Sequence, residues 1–142
     1  MDWWAPAGFR LSPQLWSGSF PGMMPYERLK AWEVSHQLVL AVYLETRRWP
    51  DEERYGLVSQ ARRAAVSVVA NLAEGSARRG GRELKRFLDI SLGSLAEVSC
   101  LLRIAKDLGY LPGERWKPLN DLRDRAGKLI YGLARAVARP LP

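Results

Sequence analysis

The sequence predicts an all-α protein, an antiparallel up-down-up-down four-helix bundle, on three observations. From Pro25 onward, apolar residues recur at three- and four-residue steps almost without a break. Proline or glycine punctuates that period at Pro50, at Gly75 and Gly80-Gly81, and from Gly109 to Gly113. No run alternates β-branched and polar residues as a half-buried strand would. Four long amphipathic segments with short connections are the pattern of a bundle.

The first segment, about 25–48, places Leu29, Trp32, Ser35, Val39, Val42, Tyr43 and Thr46 on one stripe. Trp49-Pro50 ends it, because the residue before proline avoids helical geometry. The second, about 51–74, carries Leu57, Ala61, Ala64, Ala65, Val68 and Leu72. Asp51, Glu52 and Glu53 suit the positive end of its dipole, and Gly75 is the expected stop. The third, about 81–108, has Leu84, Phe87, Leu88, Ser91, Leu95, Val98, Leu102 and Ala105 on one face. Ile90, Ser94, Leu101 and Ile104 add a second apolar strip, so this helix should meet more than one neighbour. The fourth, about 114–139, shows Trp116, Leu119, Leu122, Ala126, Leu129, Ile130, Leu133 and Val137 before Pro140 closes it. At 1.5 Å per residue such helices run to about 35–40 Å.

A chain of 142 residues and 16.1 kDa has room for one domain. The expected organisation is a non-core leader over 1–24 and a bundle over 25–142. The leader sets Trp3, Trp4 and Trp16 among prolines and glycines and has no period. It reads either as an arm whose aromatics dock on another subunit or as a product of translation truly starting at Met23 or Met24. It lacks the basic start and unbroken apolar middle of a signal peptide, and no apolar run reaches the 18 residues of a membrane span. A cytoplasmic protein is therefore expected.

Cys100 is the single cysteine and His36 the single histidine. An internal disulfide, a Cys-rich zinc site and a multi-histidine centre are thus excluded within one chain, and neither metal nor cofactor is expected. Catalytic templates fail as well. Gly80-Gly81 lacks the lysine-ending phosphate loop, and the run at Gly93 falls mid-helix with no strand before it. Arg63, Ser67, Asn71 and Glu74 form a polar row beside the apolar stripe of the second helix, where partners must be found. Glu74 as a general acid or base would need a second group and a pocket, so the row reads as a hydrogen-bond network. Within the third helix Gly93 costs about 1 kcal/mol against alanine. With Ser91, Ser94 and Ser99 it makes the helix thin, for close packing inside the bundle or for a subunit seam.

Net charge is +7, with a pI near 10.0. The densest basic stretch is Arg78-Arg79-Gly80-Gly81-Arg82, continuing to Lys85 and Arg86 with Glu83 the one acid among them. Arg62 and Arg63 precede it on the second helix. Arginine presents two parallel donors to phosphate, so these seven cations are the candidate contacts to an RNA or DNA backbone. A solvated face that maintains solubility is the competing reading. No sequence-reading module is visible, so recognition would be of backbone and shape.

YGLVSQARRAAVSVVANLAEGSARR (55–79), followed by ELKRFLDISLGSLAEV (83–98), resembles a small bacterial four-helix bundle family. That family includes proteins encoded in intervening sequences of large-subunit ribosomal RNA genes and is related to the accessory variability determinant of diversity-generating retroelements. The stretches 26–50 and 103–111 match too, so the resemblance covers about residues 25–138. It implies a homopentameric ring of four-helix protomers with no established enzymatic activity. The retroelement-linked members bind nucleic acid and a reverse transcriptase through a positive surface. Matching positions are Gln60, Arg62, Arg63, Ser67, Asn71, Glu74, Gly75, Arg78, Gly93, Ser94 and Glu97. The resemblance makes Ser67, Asn71, Glu74, Gly75, Gly93, Ser94 and Glu97 candidate fold or interface determinants. The Trp-rich leader departs from the family pattern. The expected function is a non-enzymatic oligomeric scaffold whose basic face binds nucleic-acid backbone, the alternative being a protein-interaction module.

Overall fold

The computed structural model describes residues 24–138, so all of the expected leader but Met24 lies outside the described residues. Four helices make up the fold: α1 (Lys30–Thr46), α2 (Leu57–Ala77), α3 (Gly81–Asp107) and α4 (Gly113–Ala138). Short 3-10 turns at Pro25–Arg28 and Asp51–Glu53 precede α1 and α2, and no strand occurs among the described residues. Those turns shorten the first two segments. Leu29, with φ −87° and ψ 118°, separates the first turn from α1. The acids before α2 do suit its start: the Leu57 N–H donates to Glu53 Oε2 at 2.9 Å. At 17 and 21 residues, α1 and α2 are about 26 and 32 Å long, while α3 and α4 reach about 40 Å.

Each helix packs on its two neighbours in the order α1, α2, α3, α4 and back to α1, and the diagonal pairs do not meet. Residue pairings show that the neighbours run antiparallel. Arg62 near the start of α2 reaches Thr46 at the end of α1, at 2.9 Å. Ser91 of α3 donates to the Val68 carbonyl of α2 at 3.0 Å. A Cβ on Gly81, opening α3, would sit 3.2 Å from Val137 near the end of α4. The core lies along the axis, with Val34 and Leu38, Val68 and Leu72, Leu88 and Val98, and Ile130 essentially closed to solvent. Burying each such side chain contributes roughly 1.5–3 kcal/mol.

Three details depart from the expected pattern. Tyr43 is 38% exposed, because Val34, Leu38 and Ala41 take the α1 core face instead. Ile90 and Ile104 of the second α3 strip are also exposed, and only Leu101 is buried with the core. Gly75 does not stop α2, which runs on to Ala77. A Cβ there would fall 2.7 Å from Phe87 Cβ, so the glycine brings α3 close to α2. The stop falls at Arg78, extended at φ −79° and ψ 153°, and at Gly80, whose φ of +91° few side chains tolerate.

Candidate nucleic-acid interface

Antiparallel packing gives the bundle two charged ends. At the end where α1 and α3 finish and α2 and α4 begin, the Glu45 side chain is only 8% exposed. Arg115 of α4 grips it with Nε at 3.1 Å from Oε2 and Nη2 at 3.2 Å from Oε1. Trp49 Nε1 donates to the same carboxylate at 3.3 Å, and Arg115 Nη2 also donates to the Tyr110 carbonyl at 3.3 Å. The carboxylate is therefore paired and hydrogen-bonded, as a buried ion must be.

Arg62 belongs to this end. Its Nε donates to Thr46 Oγ1 at 2.9 Å and its Nη2 to the Tyr43 carbonyl at 3.4 Å, with the guanidinium 4.7 Å from the Tyr43 ring centroid. It fastens α2 to α1. Arg63 is exposed, but at 1.5 Å per residue it lies about 22 Å along α2 from Arg78. The structure thus separates both from the other five cations.

Those five sit at the opposite end, around the turn from α2 to α3. Arg78 pairs with Glu74 at 2.7 Å, Lys85 with Asp89 at 2.7 Å and Arg86 with Glu83 at 3.6 Å. All are exposed pairs within one helix or its edge, so each carboxylate is weakly held. Arg79 and Arg82 are exposed and make no ion pair among the described residues. Phe87, 5% exposed, orders the cluster: Arg78 and Arg86 stand 5.5 and 4.7 Å from its ring centroid. Such contacts hold a guanidinium over the ring face. Phe87 reads as core from its spacing alone, and nothing in the sequence marks it as a support for two arginines.

The other candidate positions fall on the α2–α3 seam. Ser67 and Ser94 hydroxyls meet at 2.8 Å, and Asn71 Nδ2 donates to the Ser67 carbonyl at 2.8 Å and to its Oγ at 3.1 Å. Glu74 goes to Arg78, while Gly75 admits Phe87. Gly93 and Glu97 face outward; a Cβ on Gly93 would meet nothing within 4 Å.

Titration is shifted at scattered places only. Burial lowers the His36 imidazole, which stacks on Trp32 at 4.8 Å. Burial, helped by Glu53, raises the Tyr110 phenol, and the Lys128 hydrogen bond lowers Asp124. A cavity of about 410 Å³ on α4 is lined by Glu114, Lys117, Pro118, Asp121, Leu122 and Arg125, away from the turn and mixed in charge. No helix among the described residues is long and apolar enough to cross a membrane. A comparison with curated proteins gives no match. A family model described as 23S rRNA-intervening sequence protein matches residues 27–132.

Proposed function

We infer the function from one premise: this chain belongs to the 23S rRNA-intervening sequence protein family. We propose a non-enzymatic, cytoplasmic scaffold that grips RNA or DNA backbone with the α2–α3 turn, in a homo-oligomer that the family resemblance puts at five copies. The observation that carries the reading is the arginine cluster at that turn. Arg79 and Arg82 have no acid to satisfy them, and Arg78 and Arg86 are propped on Phe87. A planar fork held ready for phosphate loses less entropy on binding. The chain carries no recognisable sequence-reading module, so contact with backbone is the expected mode. The groups with shifted titration, His36, Tyr110 and Asp124, sit on separate elements, which favours binding over acid–base chemistry.

The test is a salt titration of binding to a fluorescent single-stranded RNA. Affinity should fall linearly on a log–log scale, and replacing Arg78, Arg79 and Arg82 together with Ala should flatten the slope by about two. Helicity should not change. An unaltered slope would remove the turn from the reading. A second reading, a protein-interaction module whose charge maintains solubility, draws on the exposed apolar residues of α3. It wins if RNA fails to bind at low salt.

A further inference from the structure

We propose that residues 1–23 fold back along their own bundle and seat their tryptophans in the hollow on α4. That hollow, about 410 Å³, is lined by Glu114, Lys117, Pro118, Asp121, Leu122 and Arg125. All six follow one another at helical steps on a single helix, so no other described element supplies the wall that faces them. Pro118 and the buried Leu122 form an aliphatic floor, and the four exposed charged side chains form the rim.

The hollow suits an aromatic group with a hydrogen to donate. Pro118 lies inside α4 and has no N–H, so the Glu114 carbonyl, one turn back on the same face, loses its helical donor. Glu114 and Arg125 make no ion pair among the described residues. An indole answers each of these features. Its body covers Pro118 and Leu122, its face receives a cation from Lys117 or Arg125, and its N–H is a donor only. On its α3 side, α4 already holds such a pair, with Lys106 Nζ 4.3 Å from the Trp116 ring centroid.

The chain supplies the occupant. Residues 1–23 carry Trp3, Trp4 and Trp16, with Asp2 and Arg10 as their only charged side chains. One charge of each sign suits a rim that offers Glu114 and Arg125. Pro6, Pro13 and Pro21 restrict the backbone beforehand, which lowers the cost of ordering it. Reach is sufficient. Met24 precedes the turn at Pro25–Arg28, which packs on α1 and α2. Because Glu45 meets Arg115, the hollow lies beside the second half of α1. It is about 15 Å along the axis from Lys30 and one or two helices around, at about 8–10 Å each. Trp16 stands eight residues before Met24 and can reach about 26 Å, while Trp3 can reach about 70 Å.

The experiment reads thiol exposure on the full chain. In a Cys100→Ser background, Asp121→Cys puts a thiol on the rim and breaks only one exposed ion pair. That thiol should react with dithiodipyridine about tenfold more slowly than when Trp3, Trp4 and Trp16 are also replaced by Ser, the protection of a hollow closed about nine-tenths of the time. Native Cys100, exposed on α3, should react at one rate with or without the three tryptophans. Protection at position 121 should survive dilution. Equal rates there with and without the tryptophans overturn the proposal, and protection lost on dilution does so by placing another copy in the hollow. A second readout leaves residues 1–23 intact: trypsin should cut after Arg10 about tenfold more slowly in the parent than in Asp121→Trp, whose own ring fills the hollow. Equal cleavage of the two overturns the proposal. None of these outcomes bears on RNA binding by the α2–α3 turn, which stands or falls by its own salt titration.

Discussion

The two ends of this bundle carry the same residue types and use them in opposite ways. Around Glu45, Arg62 and Arg115 donate to acceptors on α1 and in the α3–α4 turn, and the carboxylate is nearly closed to water. Around Gly80, pairs are exposed, lie between residues three or four apart, and leave Arg79 and Arg82 with none. The difference is one of topology. A carboxylate at the end of α1 faces the start of α4 and is enclosed, whereas residues 77–82 of the α2–α3 turn are all exposed. Arginine ties helices together in the first setting and stays exposed to solvent in the second.

That contrast can be broken most forcefully at the closed end. Arg115→Ala would strand the Glu45 carboxylate and should cost about 3–5 kcal/mol, read from urea or thermal unfolding, with RNA affinity per folded molecule unchanged. Gly75→Ala probes the join behind the basic turn. Its methyl would sit 2.7 Å from Phe87 Cβ, so a loss of about 1–3 kcal/mol is expected from unfolding curves. At the open end, the Arg78, Arg79 and Arg82 triple alanine variant should stay within about 0.5 kcal/mol of the parent in stability while losing RNA. Equal losses of stability at both ends would erase the distinction. The smallest effect is at His36. Burial lowers its folded pKa, so the unfolded chain takes up the proton first, and stability should fall as pH drops below the ordinary imidazole value of about 6.5. His36→Gln should remove that component of the pH dependence.

The helices were legible because their apolar periods are long and their interruptions abrupt; Gly109 and Pro112 mark the α3–α4 turn without ambiguity. Gly75 misleads because a glycine near a helix end reads as a stop, and only the approach of Phe87 from the next helix reveals its use. The same blindness applies to charge. Arg62 looks like Arg63 in a basic dipeptide, yet Thr46, sixteen residues earlier, claims it. Glu45 and Arg115 stand seventy residues apart, and no spacing rule links them. The basic turn was legible because its five cations are neighbours in the chain itself; Phe87, their support, looked like any other core aromatic.

The union of Glu45 with Arg115 also sets an order for biosynthesis. A ribosome releases the carboxylate seventy residues before the guanidinium that neutralises it. The first three helices therefore emerge as a nascent sheaf with an open side and an acid awaiting its counter-ion. Closure belongs to the final helix, so premature termination before residue 115 should yield a product that proteases clear rather than a smaller working protein.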